Sequence, residues 1–420
     1  MQSNKLNPRL GRFLHLVPDE KFIDAARGIF EEASPGDHDF LFIGQQPLRL
    51  IRTFNPICIE IDAVLDRGFL SALPRYSAVF VHYLNDVARC VIALSPKDTR
   101  FVWLGWGNDF YHLIQPRSAL ILPKTRTLLA KQATLGAMVH KARKRLMRWS
   151  RFLASPSRIA TLVLLNRTLA RVGESKPEEL VMINRFLAIS TPIRDDFDAM
   201  RTHHPGLRAP FLDWNYWTEG FETGGALSSQ GSKKRHVLLG NSATPENNHV
   251  EALDLLSTCL PDDWYIYCPL SYGDKAYGDA IEEYGNVLFG DRFIALREYM
   301  PIETYSEIVS GCLIIVMNHV RQQALGNIIL SLYAGSFVFL NEMSPIHAAM
   351  QRIGVDIETI DRLPLKFKKS VMESLDDRTT NQVRQRIEAS FGRASILQRT
   401  RKILHDLDLT IDGSEAADHV

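Results

Sequence analysis

Short runs rich in β-branched and aromatic residues alternate with helix-like stretches along this chain, stop at a glycine- and serine-rich break, and begin again. That doubled alternation constrains the fold more than any other feature. FLHLV (13–17), DFLFI (39–43), AVFVHYL (78–84), RFVWLGW (100–106) and NRFLAIS (184–190) read as buried strands. Helical apolar spacing over 20–32 and 86–94 lies between them, the pattern of βαβ units and a parallel sheet. Residues 218–234, TEGFETGGALSSQGSKK, lose periodicity and read as a linker. HVLLG (236–240), DWYIYCP (263–269), NVLF (286–289), CLIIVM (312–317) and SFVFLN (336–341) then restart the alternation. The expected organisation is a Rossmann-like domain over 1–217, a linker over 218–235, a second Rossmann-like domain over 236–405 and a polar tail over 406–420. A length of 420 residues, beyond what one core usually organises, agrees with two domains.

Composition narrows the setting. Hydrophobic residues at 45%, charged residues at 23% and a formal net charge of +1 describe a folded chain whose overall charge selects no partner. Five cysteines without CxxC spacing argue against a disulfide framework or a zinc site and for thiols in a reducing compartment. The N-terminus lacks an apolar signal core, and the longest apolar runs, such as IATLVLL from Ile159, are too short to span a bilayer. Cytosolic location with at most peripheral membrane contact is the expectation. Two linked α/β domains fit GT-B transferases, periplasmic binding proteins and some epimerases, so the loops after the strands must discriminate.

Two such loops in the second half have the composition of an anion site. HVLLGNSATPENNHVEAL places Gly240, Asn241 and Ser242 where a strand turns towards a helix, and a glycine there permits close backbone approach to a ligand. NHVRQQALGNIILSLYAG puts Arg321, Gln322, Gln323, Gly326 and Asn327 at another strand-to-helix junction. One cation and several amides beside a helix N-terminus suit a diphosphate whose leaving charge needs fixed donors. Tyr272, in CPLSYGDKAY, is a further candidate to face a nucleotide. No DxD lies in an inter-strand loop, so no metal ligands are assigned, and no cofactor is expected. A plain capped turn and a solvated polar loop are the structural alternatives at these two places.

These loops carry a resemblance. HVLLGNSATPENNHVEAL, CPLSYGDKAYGDAIEEYG and the segment from Tyr305 through NHVRQQALGNIILSLYAGSFVFLNE to Met350 resemble the TDP-N-acetylfucosamine:lipid II N-acetylfucosaminyltransferase family, glycosyltransferase family 56. FVWLGWGNDFYH and RFLAISTPIRDDF are similar to the family's first-half segments, with GWGND where WGAD is usual, an extended region near 124–175 and a longer linker. The resemblance implies an α/β protein of GT-B type, two Rossmann-like domains facing each other across a cleft. It further implies transfer of an amino-deoxy sugar from a dTDP-linked donor to a lipid-linked saccharide in envelope polysaccharide biosynthesis, at the cytoplasmic face of the inner membrane. A catalytically inactive nucleotide-sugar-binding scaffold, or a transferase acting on protein or soluble glycan, remain open alternatives.

On the acceptor side, His15 in FLHLV, His82 in VFVHYL and Asp109 in GWGND lie at or near strand ends and are the candidate catalytic groups, since a base must reach the acceptor hydroxyl. The structural alternatives are satisfied core histidines and an aspartate capping the next helix. Trp103 and Trp106 offer faces for a sugar ring, with Gly107 and Asn108 beside them. From Phe110 to Gly173 the chain holds no Asp or Glu, and Lys141, Arg143, Lys144, Arg145 and Arg148 alternate with apolar residues. Residues 117–171 therefore read as a basic segment lying on an anionic membrane surface, with no nucleic-acid motif accompanying it.

Overall fold

The computed structural model describes residues 6, 8–20, 22–132, 177–216, 233–368 and 377–415. They form two compact units, each built on a six-stranded sheet in which every pairing is parallel. In the first unit the strands are β1 (Phe13–Val17), β2 (His38–Ile43), β3 (Ile57–Ile59), β4 (Ala78–His82), β5 (Phe101–Leu104) and β6 (Phe186–Ser190), in the spatial order β3-β2-β1-β4-β5-β6. β1 and β4 are buried along their whole length, which is why they read as continuous apolar runs rather than as alternating ones. Phe13, Phe30, Phe80, Val102, Leu104 and Trp214 form the centre of this unit's core.

The last helix, Arg393–Glu415, belongs to the first unit. It lays Ile396 and Leu404 into that unit's core, accepts the Trp214 indole N–H on Thr400 Oγ1 at 2.9 Å, and pairs Arg393 with Glu32 of helix Phe22–Ala33. Two buried aliphatic side chains contribute roughly 1.5 to 3 kcal/mol each. Residues 406–415, expected as a polar tail, continue this helix; Leu407 packs on the core and its carbonyl accepts from Arg100 at 2.9 Å.

The second unit's strands are β7 (Lys234–Leu239), β8 (Tyr265–Pro269), β9 (Phe293–Leu296), β10 (Cys312–Met317), β11 (Phe337–Leu340) and β12 (Glu358–Thr359), ordered β12-β11-β10-β7-β8-β9. Val237, Leu239, Ile266, Ile314 and Val316 meet Val250, Leu253, Tyr277 and Ile281 from the helices His249–Ser257 and Lys275–Phe289. NVLF (286–289) is not a strand: it is the last turn of helix Lys275–Phe289. Asp274 caps that helix by accepting from Tyr277 N at 3.2 Å, Tyr277, Ile281 and Phe289 hold one buried stripe, and Gly290 at φ +57° ends it. The strand follows as β9.

Residues 115–132 pack with the second unit, although they precede β6 of the first. Leu128 and Leu129 of helix Pro123–Gln132 rest on the second core. Glu251 caps that helix from outside, accepting from Lys124 N at 2.7 Å, Thr125 N at 2.9 Å and Thr125 Oγ1 at 2.6 Å. Arg117 pairs with Glu246 at 2.7 Å and Lys124 with Asp254, so these two cations of the basic segment face carboxylates. Lys141, Arg143, Lys144, Arg145 and Arg148 lie outside the described residues, as do residues 218–232 of the expected linker. Lys234 already starts β7. All five cysteines are free thiols, with Cys90, Cys268 and Cys312 buried. Among the described residues no helix is long and apolar enough to cross a membrane.

Candidate functional site

In each sheet the strand order reverses once, between β10 and β7 in the second unit and between β1 and β4 in the first. Loops leaving the carboxyl ends of such a strand pair diverge and leave a crevice, the usual ligand position in parallel sheets.

At the second unit's crevice, Gly240 follows β7 with φ +68°. A Cβ there would come within 2.6 Å of both Asn247 Oδ1 and His249 Nε2, so the turn requires glycine on conformational and steric grounds. Asn247 then locks the loop. Its Oδ1 accepts from Asn241 N at 2.8 Å, and its Nδ2 donates to Ser242 Oγ at 3.2 Å and Thr244 Oγ1 at 2.8 Å. The loop after β10 joins the same network, because His319 Nε2 lies 2.9 Å from Asn247 Oδ1 and 3.2 Å from Asn241 Oδ1. Two amide oxygens facing one ring nitrogen assign the imidazole proton to Nε2. Burial, followed by the charge of Arg321 and by His249, drives the His319 pKa well below its ordinary value, so the ring is neutral. Gln323 Nε2 donates to the same Asn241 Oδ1 at 3.0 Å.

The loop after β8 closes the group. Ala243 bridges to Gly273, and Asn241 Nδ2 donates to the Tyr272 hydroxyl at 3.2 Å. Asn248 ties loop to loop through Asn318 O at 3.0 Å, and Asn318 Nδ2 returns to Asn248 O at 3.0 Å. Asn248 at φ +50° and Ala324 at φ +59° are left-handed residues directly ahead of the helices His249–Ser257 and Leu325–Tyr333. Strain of roughly 1 to 3 kcal/mol per such residue persists where surrounding contacts over-determine the conformation, often at ligand sites. The two helix starts present N–H groups that attract anions.

Of the residues expected to hold a donor, Gly240, Asn241, Ser242, Tyr272 and Gln323 thus share one network. Arg321 donates to Gln322 O at 2.9 Å on the same loop, Gln322 is buried, and Gly326 lies in the first turn of helix Leu325–Tyr333. Asn327 turns aside, donating to Tyr305 of helix Ile302–Gly311 at 2.7 Å. Sequence reading missed Thr244, Asn247, Asn248, His249, Asn318 and His319. The available signal was the run of amides and histidines immediately after strand ends, in PENNH and MNHV.

The first unit's crevice is backed by a buried imidazole chain. His15 Nδ1 lies 2.9 Å from His82 Nε2, His15 Nε2 lies 3.0 Å from His38 Nδ1, and His82 Nδ1 lies 2.7 Å from the Tyr216 hydroxyl. Register places His15 opposite Phe40 and Phe80, whose rings sandwich it at centroid distances of 4.3 and 4.9 Å. Burial holds His15 well below its usual pKa, His38 at about 4 and His82 at about 3, and raises Tyr216 well above the phenol range. All three rings are therefore neutral near pH 7. Both nitrogens of His15 and of His82 are already engaged and the rings are buried, so neither meets the geometric requirement of a base that reaches an acceptor hydroxyl directly.

Asp109 is also occupied. Its Oδ1 accepts from Trp106 N at 2.9 Å and Gly107 N at 3.1 Å, while Oδ2 accepts from Leu84 N at 3.0 Å and Trp103 Nε1 at 2.9 Å. Four N–H donors take up the lone pairs that base chemistry would need. The geometry fits a staple joining the loops after β4 and β5. Trp103 is fully buried and offers no face to a sugar. Trp106 is half-buried among Phe22, Tyr83 and Tyr216, and Asn108 is exposed with its Nδ2 donating to the Tyr83 hydroxyl at 3.1 Å. Among the described residues no group of His, Cys, Asp and Glu has the arrangement of a metal site.

Solved structures with this architecture cover nearly the whole chain. Anabaena HepE in complex with UDP and glucose aligns over 94% of this chain and 99% of its own, with TM-score 0.58 and 10% identity. A UDP-forming α,α-trehalose-phosphate synthase from Burkholderia vietnamiensis aligns over 94% and 99%, with TM-score 0.53 and 9% identity. An E. coli trehalose-6-phosphate structure bound with UDP-2-fluoro glucose gives 94%, 99%, 0.56 and 8%. At such identities the likeness establishes the two-domain GT-B fold. Residues 197–389 match the model of the 4-alpha-L-fucosyltransferase family, glycosyl transferase group 56, and the chain is accordingly a glycosyltransferase with that family's signature in these residues.

Proposed function

We propose that the chain transfers a sugar from a nucleoside diphosphate donor held by the second unit's loops, with dTDP as the nucleotide and a lipid-linked saccharide as acceptor. The observation that carries the donor half is the interlocked group of Asn241, Asn247, His319 and Gln323 at the β7–β10 crevice, beside Arg321 and two helix starts. A neutral His319, with its Nε2 proton on Asn241 and Asn247, holds the amides in place; the remaining amide N–H groups then need little reorganisation when a diphosphate arrives, and Arg321 supplies the charge. As the sugar–phosphate bond breaks, negative charge grows on the departing diphosphate, and these donors stabilise it. UDP bound to Anabaena HepE and UDP-2-fluoro glucose bound to the E. coli structure support a nucleotide in a protein of this fold.

The dTDP donor, an amino-deoxy sugar, the lipid-linked acceptor and a place at the cytoplasmic face of the inner membrane follow from the family resemblance together with the acid-free basic stretch from Phe110 to Gly173. Asp109 serves by holding the loop that carries Trp106 and Asn108. The test is a melting-temperature screen against dTDP, UDP, GDP and ADP. A ligand at 100 times its dissociation constant stabilises by about 2.7 kcal/mol. The largest shift is expected with dTDP; a larger one with UDP transfers the donor assignment to uridine, and no shift with any of the four defeats the donor reading.

A further inference from the structure

We propose that Trp106, Tyr83, Phe22 and Asn108, at the carboxyl ends of β4 and β5, form the subsite for the pyranose ring of the acceptor saccharide. The proposal rests on the transferase reading, but on observations in the first unit alone. Trp106 is enclosed on three sides, by Phe22 at a centroid distance of 5.5 Å, Tyr83 at 5.1 Å and Tyr216 at 5.6 Å. The enclosure is open at one edge, since Phe22 remains 37% exposed and Trp106 is only half-buried.

Polar groups stand beside this aromatic surface in a pairing that suits a sugar. Asn108 Nδ2 donates to the Tyr83 hydroxyl, which leaves the phenol proton as a donor and the Asn108 carbonyl as an acceptor on the same rim. A pyranose has an apolar C–H face and a rim of hydroxyls that both donate and accept. Aromatic faces next to one donor and one acceptor match it, whereas an acyl chain would leave the rim groups unpaired.

The backing is rigid. Tyr83 sits at φ +71°, a conformation that bulky residues rarely adopt, held by its own N–H to Leu104 O at 3.2 Å and by Asn85 N to its carbonyl at 2.9 Å. Asp109 fastens Leu84, Trp106 and Gly107, the neighbours of Tyr83 and Asn108, with one carboxylate. Behind Tyr216 the imidazole chain fixes the hydroxyl of the ring that closes the enclosure. Binding groups held this way lose little entropy on meeting a ligand.

The experiment is saturation-transfer NMR on the full chain with N-acetylglucosamine and glucose at millimolar concentration, and with dTDP and UDP in a separate arm. The wild type is expected to transfer saturation to pyranose ring protons, with neither nucleotide displacing the sugar. Asn108→Ala and Tyr83→Phe remove one polar group each and should weaken the sugar by roughly three- to tenfold. Trp106→Ala should weaken it by about tenfold or more. No sugar signal in the wild type, a signal unchanged in the folded Asn108→Ala and Tyr83→Phe proteins, or displacement of the sugar by dTDP or UDP each overturns the proposal. Absence of nucleotide signals alongside the expected sugar pattern defeats the donor reading and leaves the saccharide subsite standing.

Discussion

Replacing Asp109 by Asn separates a base from a staple. The amide keeps the shape of the side chain, but one of its two branches becomes an NH2 group. Whichever way it turns, two N–H donors lose their acceptor, either those of Trp106 and Gly107 or those of Leu84 and Trp103. Hydrogen bonds to a charged partner contribute about 1.5 to 3 kcal/mol each, so two of them amount to roughly 3 to 6 kcal/mol, before counting the weakening of the remaining pair. Taking about 3 kcal/mol and roughly 2 to 4 °C per kcal/mol for a unit of this size, the melting temperature should fall by about 6 to 12 °C. Differential scanning calorimetry on wild type and Asp109→Asn reads this, with dTDP-induced stabilisation confirming that the second unit is intact. An unchanged melting temperature accompanied by a turnover loss of about 100-fold or more would refute the staple and restore Asp109 as the general base.

Acid should destabilise the fold through its buried histidines. His38 at about 4, and His82 and His249 at about 3, lie below the unfolded value near 6.5, so as pH falls the unfolded chain takes up protons first. Their stability contribution is present above about pH 6.5 and declines until about pH 4 for His38 and about pH 3 for His82 and His249, by about 2 kcal/mol per ring at pH 5; urea midpoints that stay level between pH 7.5 and pH 5 would contradict this. Gly240→Ala should lower both stability and dTDP affinity, because φ +68° and contacts at 2.6 Å act together, whereas Gly36→Ala at φ +80° with open space around it should cost about 1 kcal/mol and leave affinity alone. Equal affinities in the two variants would remove Gly240 from the donor site. Changing Lys141, Arg143, Lys144, Arg145 and Arg148 to Gln should release the protein from anionic liposomes, where each cation contributes roughly 1 kcal/mol, and binding to neutral vesicles that is unaffected by the change would end the membrane proposal.

The sheets were legible because buried parallel strands write themselves as unbroken apolar runs. FLHLV and CLIIVM became strands over the residues read, while AVFVHYL was read two residues past the strand's end at His82. NVLF misled because three apolar residues in a row have no period of their own; only the buried stripe from Tyr277 to Phe289 identifies it as a helix end. Helix Pro123–Gln132 and the last helix crossed to the other unit's core through long-range contacts such as Glu251 on Thr125 and Thr400 on Trp214, which no local pattern encodes. The donor candidates were chosen because glycine, amides and an arginine at strand ends have few structural uses. Asn247 and His319 were missed because their importance lies in bonding, Asn247 back to Asn241 within the β7 loop and His319 to both from the β10 loop. His15, His82 and Asp109 read as candidate catalytic groups because type and position could not show that each already has its partners inside the protein.

Isothermal titration of dTDP into wild type, Gln323→Ala and Arg321→Ala tests the donor site most directly. Loss of a charge-assisted contact amounts to about 1.5 to 3 kcal/mol, so Arg321→Ala should bind roughly ten- to a hundredfold more weakly. Gln323→Ala frees Asn241 Oδ1 from one donor and should weaken binding by a smaller factor. Unchanged dTDP affinity in a folded Arg321→Ala protein would contradict the assignment of the nucleotide to the β7–β10 crevice.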